Sequence, residues 1–92
     1  IRAALYRVAR EAIGNVSKHS GATHVDVRLA QQGHTVVLSV ADDGRGFDPQ
    51  AHREGHLGLR LVEDLVRSIG GRLTVLSAPD SGTSVTVKVE AP

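Results

Sequence analysis

The first twenty residues carry apolar side chains at three- and four-residue steps, the spacing of one helix face. This apolar stripe consists of Leu5, Val8, Ala9, Ala12, Ile13 and Val16. Another face carries polar residues at i, i+4, i+7 and i+8, which are Glu11, Asn15, Lys18 and His19. The pattern predicts a helix over residues 2–20, ended by Gly21 in a left-handed conformation.

Two segments with the alternation of β-strands follow the helix. Residues 24–30 place aliphatic side chains on one side and polar ones on the other, which predicts a strand with one solvent-exposed face. Residues 31–34 have the composition of a turn. Residues 35–41 are more continuously apolar, as in a more central strand, so we expect the two segments to form a hairpin.

The second half of the chain has a similar order of elements. Residues 47–56 are polar and without periodicity, which is typical of a loop. Helical spacing returns over residues 57–69 and ends at a pair of glycines. Residues 72–78 and 83–90 have strand character and are separated by a turn. The order α-β-β-α-β-β predicts an α/β (α+β) two-layer sandwich, with helices on one face of a largely antiparallel sheet.

Composition narrows the class of protein. The chain has 92 residues, the length of one domain, and its single Tyr and single Phe leave an aliphatic core. A formal charge of +1 gives no indication of a nucleic-acid partner or a membrane surface. The absence of cysteine excludes disulfides and thiolate sites, and no apolar run reaches transmembrane length. Because the helical pattern starts at once, we expect a cytoplasmic fragment of a longer protein, whose parent could be membrane-anchored.

An acidic pair and two glycines follow the second strand, in Asp42-Asp43-Gly44-Arg45-Gly46. A carboxylate at a strand end can accept a hydrogen bond from the exocyclic amino group of a base, and glycines let the backbone approach a flat ligand closely. Asp-Gly pairs also close many hairpins, so a β-turn is the alternative.

The polar face of the first helix is a second candidate for chemistry. The side-chain oxygen of Asn15 is a hard ligand of the kind that Mg²⁺ takes together with phosphates and water. Lys18 could neutralise a phosphate, and Glu11 could bind a metal-held water or polarise an attacking group. A solvated helix face is the alternative, although Asn is unfavourable inside a helix.

Two glycine-containing segments complete the set of candidates. Gly55-His56-Leu57-Gly58-Leu59 opens the second helix, where free N–H groups can bind phosphates; a hinge is the alternative. Gly82-Thr83 enters the last strand, where the hydroxyl could support a base-binding carboxylate through water; a β-turn is the alternative. The sequence contains no P-loop, dinucleotide fingerprint or protein-kinase signature.

In this order, the four signals resemble the N, G1, G2 and G3 boxes of the GHKL ATPases. The matching stretches are Glu11-x-x-x-Asn15-x-x-Lys18-His19, Asp42-x-Gly44-x-Gly46, Gly55-x-x-Gly58-Leu59 and Gly82-Thr83. Within that superfamily the chain resembles the ATP-binding catalytic domain of bacterial sensor histidine kinases, and residues 6–12 and the G2 box are similar to the NarL/DegS-type branch. The resemblance covers nearly the whole chain, and the ordered set of boxes is far more specific than any one of them.

The resemblance implies a role for each matching residue. Asp42 would accept from the adenine amino group, with Gly44 and Gly46 shaping the pocket and Thr83 supporting the carboxylate. The catalytic and metal residues would be Asn15 holding Mg²⁺, Glu11 beside the metal or its water, and Lys18 at a phosphate. His19 would join the nucleotide site, with a helix-end surface or capping histidine as the alternative. Residues 47–57 would form an ATP lid, and the remaining nucleotide-binding positions would be Gly55, His56, Leu57, Gly58 and Leu59.

The same resemblance implies the Bergerat fold, a mixed and mostly antiparallel sheet under helices. Residues 1–92 would bind ATP and Mg²⁺ and donate the γ-phosphate to a histidine on a separate dimerisation domain of a homodimeric parent, for relay to a response-regulator receiver domain. The lid is short and lacks a phenylalanine-rich box. None of the five histidines has the context of a phosphoacceptor, so we expect the chain to bind ATP without phosphorylating itself. A GHKL-type ATPase, an anti-sigma serine kinase and a non-enzymatic nucleotide-binding module are the alternatives.

Overall fold

The computed structural model describes residues 2–15, 21–45, 57–78 and 80–91, without the side chains of residues 15 and 57–59. Its elements are α1 (Arg2–Asn15), β1 (Val25–Gln32), β2 (Thr35–Asp42), α2 (Leu57–Ser68), β3 (Arg72–Ser77) and β4 (Thr83–Glu90). The predicted order of helices and strands is confirmed. The predicted last turn of the first helix, residues 16–20, lies outside the described residues, as does the whole predicted loop, residues 47–56.

The four strands form one sheet in the order β1-β2-β4-β3, and the three ladders of the described residues are antiparallel. The predicted hairpin of β1 and β2 is confirmed, but its turn is shorter than expected. Gln32 pairs with Thr35, so Gly33 and His34 alone make the turn. Gly33 has a φ of 60°, and such two-residue turns extend the ladder because their twist matches that of the strands.

Both helices pack on one face of the sheet, and the core between the two layers is aliphatic. The buried side chains are Leu5, Val8 and Ala12 of α1, Val62 and Val66 of α2, Leu38 and Val40 of β2, and Val85, Val87 and Val89 of β4. The alternation predicted for β4 therefore points its valines at the helices, and β2 is central in the sheet as predicted. This arrangement confirms the predicted two-layer sandwich with helices on one face.

The edge strand β1 differs from its prediction, because neither of its faces is buried. Val25, Val27 and Leu29 lie on the helix side of the sheet and are still 40%, 45% and 66% exposed. The helical layer packs on the other strands, α1 against β2 and α2 against β3. An alternating pattern indicates which side of a strand is apolar, and the reach of the opposite layer decides whether that side is covered.

The second helix ends one residue before its prediction, at a turn that its glycines form. The N–H of Ile69 donates to the carbonyl of Val66 at 3.2 Å, and the N–H of Gly71 donates to the same carbonyl at 3.0 Å. Gly70 has a φ of 69°, the left-handed conformation that commonly ends a helix. Within the described residues, neither helix has the length and hydropathy needed to cross a membrane.

Candidate functional site

Three polar side chains lie in line across the sheet where β2 ends. The register places Asp42 of β2 opposite Thr83 of β4, and Thr83 opposite Ser77 of β3. Because side chains alternate along a strand, these three residues share the helix-facing side with the buried Val40 of β2 and Val85 of β4, each two positions from its polar neighbour. We call Asp42, Thr83 and Ser77 the inner polar row. It continues the core towards the end of the sheet, where oxygen atoms replace methyl groups.

The hydroxyl groups of the inner polar row are hydrogen-bonded to each other and to the backbone. Oγ of Ser77 donates to the carbonyl oxygen of Gly82 at 3.1 Å and lies 2.8 Å from Oγ1 of Thr83. All three residues are shielded from solvent to some degree, since Gly82 is buried and the two hydroxyl residues are half-buried. The turn between β3 and β4 and the first residue of β4 are therefore fixed relative to each other.

Gly82 brings this turn close to the end of β2. Its φ is 75°, in the left-handed region that favours glycine. A methyl group at this position would collide with the backbone carbonyl of Asp42 and would lie 3.3 Å from Cα of Asp43. The glycine that the sequence placed before the last strand thus permits a close approach of two backbones, and it does so within the turn that was its alternative interpretation.

Asp42 has a carboxylate that the chain uses only in part. Its Oδ1 accepts a hydrogen bond from the N–H of Gly44 at 2.8 Å, and the residue is half-buried. Among the described residues no hydrogen bond reaches Oδ2. Within the described residues β2 pairs with β1 and β4, so the acidic pair does not close a hairpin between β2 and the next described strand.

The carboxylate of Asp43, the neighbouring acid, accepts hydrogen bonds from the residues that precede β1. Its carboxylate accepts from the N–H of Thr23 at 2.9 Å, the hydroxyl of Thr23 at 2.7 Å and the N–H of His24 at 3.0 Å. Nδ1 of His24 lies 3.4 Å from Oδ2. The Thr23 hydroxyl, followed by the His24 backbone N–H, holds the pKa of Asp43 well below its usual range. This carboxylate fastens the end of β2 to the residues that precede β1.

The first helix carries the residues expected to hold a metal and phosphates. Glu11 is half-buried, and Asn15, one turn later, is the last residue of α1, the helix that packs on β2. Lys18 and His19 lie outside the described residues. In the described part of the chain no three His, Cys, Asp or Glu residues cluster as metal ligands do. Two hard-oxygen residues at i and i+4 suit Mg²⁺, which takes few protein ligands when phosphates and water supply the rest.

The glycine segment before the second helix is described only from its first helical residue onwards. Leu57 begins α2, so Gly58 and Leu59 belong to its first turn, while Gly55, His56 and, from the earlier glycine pair, Gly46 lie outside the described residues. The N–H groups of a first helical turn have no partner within the helix. Such N–H groups can bind an anion.

A cleft of about 530 Å³ lies at the end of the sheet that carries the inner polar row. It is lined by Ala41, Asp42, Leu76, Ser77, Ala78, Ser81, Gly82, Thr83 and Ser84. Ala41, Ser84 and Leu76 are register partners on the side away from the helices. The cleft therefore opens partly on the outer face of the sheet, and only part of its lining belongs to the inner polar row.

The sequence profile described as histidine kinase-, DNA gyrase B-, and HSP90-like ATPase matches residues 1–92. The chain belongs to this family.

Relatives within this ATPase family include sensor proteins of bacteria. The chain is 32% identical to the signal transduction histidine-protein kinase/phosphatase DegS of Brevibacillus brevis, over 97% of this chain and 23% of that protein. It is 37% identical to the sensor protein VraS of Staphylococcus haemolyticus, over 91% of this chain and 24% of the relative. The chain thus spans about a quarter of the length of these curated relatives.

Solved structures of the ATPase family have the same fold. The ATP binding domain of PrrB from Mycobacterium tuberculosis is 27% identical, with a TM-score of 0.79 over 100% of this chain and 70% of that one. The histidine kinase domain of a blue-light activated histidine kinase from Erythrobacter litoralis is also 27% identical, with a TM-score of 0.76 over 91% of this chain and 42% of the other.

In this member of the ATPase family, the structure brings together some of the residues that the sequence singled out. Asp42, Gly44 and Thr83 meet at one end of the sheet, and Gly82 lies directly against them. Sequence reasoning missed Ser77. A signal was available, since a symmetric hairpin around residues 78–82 pairs residue 77 with residue 83, and a hydroxyl residue stands at each position.

Proposed function

We propose that this chain is the ATP-binding catalytic domain of a sensor histidine kinase. The observation that carries the proposal is the half-buried carboxylate of Asp42, which keeps an acceptor oxygen and lies opposite Thr83 in a member of the ATPase family. A carboxylate can only accept hydrogen bonds, so it suits the exocyclic amino group of adenine. The relatives with sensor and histidine kinase names support the parent's class.

In this proposal the end of the sheet binds the base. Asp42 accepts from the adenine amino group, and Thr83 lies opposite it on the neighbouring strand. The hydrogen bond from Gly44 to Oδ1 fixes the orientation of the carboxylate, so Oδ2 meets the ligand without rearrangement. The absence of side chains at Gly44 and Gly46 leaves room for a flat ring near the backbone.

The first helix and the start of the second would handle the phosphates. Asn15 would hold Mg²⁺ and Glu11 would contact its water, while Lys18, His19 and the segment 55–59 would bind the phosphate oxygens. The ion supplies charge neutralisation on the phosphoryl group that is transferred. The chain's own contribution is position, because a γ-phosphate held at a fixed place reacts with a histidine that another domain presents.

The parent protein would be larger than this chain and would act in a two-component system. A dimerisation domain with the phosphoacceptor histidine would receive the γ-phosphate in a homodimer, and a response-regulator receiver domain would receive it next. The chain spans about a quarter of the length of DegS and VraS, which leaves room for these parts. A cytoplasmic site, where ATP is found, follows from this function.

Calorimetric titration of the chain with ATP and Mg²⁺ tests the base site. Asp42→Asn replaces one acceptor oxygen by an amide that can turn its N–H₂ towards the ligand, so ATP affinity should fall at least about tenfold. Asp26→Asn, the same change at an exposed ion pair with Arg28 on β1, should leave affinity unchanged. Equal affinity of the wild type and Asp42→Asn would overturn the base-binding role.

Phosphoryl transfer is tested by adding the parent's histidine-bearing helical domain to the chain with labelled ATP. We expect label on a histidine of the added domain and none on the chain. Steady ATP hydrolysis by the chain alone, without transfer to histidine, would assign it to the ATPases of the family and overturn the kinase proposal.

A further inference from the structure

The positions of two hydroxyl oxygens in the inner polar row determine where their protons lie. Oγ of Ser77 is 3.1 Å from the carbonyl oxygen of Gly82, and a carbonyl can only accept, so Ser77 donates there. A hydroxyl group has one proton. In the 2.8 Å pair of Ser77 and Thr83 the donor is therefore Thr83.

The direction of this chain of hydrogen bonds affects the neighbouring carboxylate. Thr83 lies directly opposite Asp42, and side chains at such paired positions have Cβ atoms about 5 Å apart. A threonine hydroxyl at this distance could donate to the carboxylate in a charge-assisted bond. With the proton order that the Gly82 contact implies, it donates to Ser77 instead, and Oδ2 of Asp42 keeps its acceptor capacity among the described residues.

We propose that Ser77 is a positioning residue that sets the purine specificity of the site. By accepting the proton of Thr83, it gives the inner polar row only acceptors for a ligand, namely Oδ2 of Asp42 and Oγ1 of Thr83. An amino group at purine C6 offers two protons to these acceptors, whereas a carbonyl at C6 offers a third acceptor and is repelled. This role rests on the proposed function, because it requires a purine nucleotide at Asp42.

The arrangement has a structural source in the hairpin of β3 and β4. Register places Ser77 opposite Thr83, and the left-handed Gly82 turns its carbonyl oxygen to Ser77. The proton order therefore originates in backbone geometry, one residue away from any contact with the ligand. Loss of the Ser77 hydroxyl would free the proton of Thr83 to turn towards Asp42 or towards a C6 carbonyl.

The test compares ATP with ITP, which carries a carbonyl at C6 and a protonated N1, by calorimetry on the wild type and Ser77→Ala. The wild type should bind ATP more tightly than ITP. In Ser77→Ala the ratio of the two affinities should fall roughly 3- to 10-fold, the effect of one hydrogen bond. Ser77→Thr restores a hydroxyl on a strand-compatible residue and should restore the ratio. Ser68→Ala removes another serine hydroxyl that donates to a carbonyl, on α2, and should leave the ratio unchanged.

The outcomes separate this inference from the function on which it rests. A wild type that binds neither nucleotide would overturn the proposed function. A wild type that prefers ATP, together with an unchanged ratio in Ser77→Ala, would overturn the role of Ser77 alone, since damage to the turn weakens both nucleotides equally. If Ser77→Ala does not fold, NMR of the wild type decides: a nuclear Overhauser contact from the Thr83 hydroxyl proton to the β-protons of Ser77 supports the inference, and a proton directed at Asp42 overturns it.

Discussion

Asp42 and Asp43 are neighbours with the same side chain, and the fold uses them differently. Asp43 accepts hydrogen bonds from Thr23 and His24, residues about twenty positions earlier in the chain, and its pKa is depressed by them. Asp42 accepts one bond from Gly44, two positions later. The carboxylate of Asp43 has several hydrogen-bond donors, and Asp42 has an oxygen to which no described residue donates a hydrogen bond.

The difference arises from the alternation of β2 at its last residues. Asp42 shares the helix side of the sheet with Val40, and Asp43 follows the last paired residue. From there the backbone N–H of Asp43 donates to the carbonyl of His24 at 3.4 Å, which brings its side chain to the residues before β1. Two identical acids one position apart therefore differ in their hydrogen bonds because they lie in different surroundings.

The largest effect is expected from Gly82→Ala, which removes the close approach that positions Asp42. The new methyl group would collide with the Asp42 carbonyl in a left-handed backbone, so unfolding free energy should fall by more than about 2 kcal/mol. Gly33→Ala is the matched control, because Gly33 has a similar φ of 60° and nothing within 4 Å of a new Cβ. Urea unfolding checks both, and equal losses would show that the contact with Asp42 contributes nothing.

Thr23→Val should have a smaller effect, on the Asp43 side alone. The substitution keeps the shape of the side chain and removes the hydroxyl that donates to Asp43 at 2.7 Å. The free energy of unfolding should fall by less than in Gly82→Ala, because the network is exposed to solvent, and ATP affinity should stay at the wild-type value. Weaker ATP binding with normal stability in this variant would mean that Asp43 serves the ligand.

The next smaller effect is expected in the pH dependence of the free energy of unfolding, which should reflect the ionisation of Asp43. Its folded pKa is depressed, so its stabilising contribution is complete above the unfolded value of about 3.9 and is lost as pH falls below that value towards the folded pKa. The stability difference between the wild type and Asp43→Asn should therefore be steady near pH 5 and shrink between about pH 4 and pH 2. Unfolding midpoints across this range measure it, and a constant difference down to about pH 2 would contradict the assignment.

The smallest effect is expected at a third aspartate, Asp26, which neither joins two segments of the fold nor lies in the inner polar row. Asp26 is exposed on β1 and accepts from Nε of Arg28 at 2.7 Å, with side-chain exposures of 59% and 78%. Asp26→Asn should change the free energy of unfolding by less than about 0.5 kcal/mol, as is usual for surface ion pairs. Thermal unfolding tests this, and a larger loss would indicate that β1 depends on its exposed charges.

Periodicity in the sequence predicted the six elements that the described residues form. The buried apolar side chains have the spacing of the helix or strand that carries them. The sequence also placed Asp42 and Thr83 at strand ends near glycines, where the structure has them, and their contact with a ligand stays a prediction. The role of Asp43 needed hydrogen bonds from Thr23 and His24, which depend on the tertiary fold. The position of Ser77 opposite Thr83 could be known only from the register of the β3–β4 hairpin. The exposure of β1 could be known only from how far the helical layer extends over the sheet.

The remaining predictions concern the residues proposed to bind phosphate and Mg²⁺. Lys18, His19, Gly46, Gly55 and His56 lie outside the described residues, so their contacts with phosphate remain predictions. Asn15 and Glu11 are placed on α1 by the backbone, and their contact with Mg²⁺ remains a prediction as well. Hydrophobic patterning carries no information on contacts between polar side chains and a ligand.

The most direct test of the division between the two acids is a crossed measurement on Asp42→Asn and Asp43→Asn, with ATP affinity and urea unfolding determined for each. Asp42→Asn should lose at least about tenfold in ATP affinity at an unchanged unfolding midpoint. Asp43→Asn should unfold at lower urea concentration and bind ATP as the wild type does. The opposite pattern, with ATP binding lost in Asp43→Asn and kept in Asp42→Asn, would contradict the account.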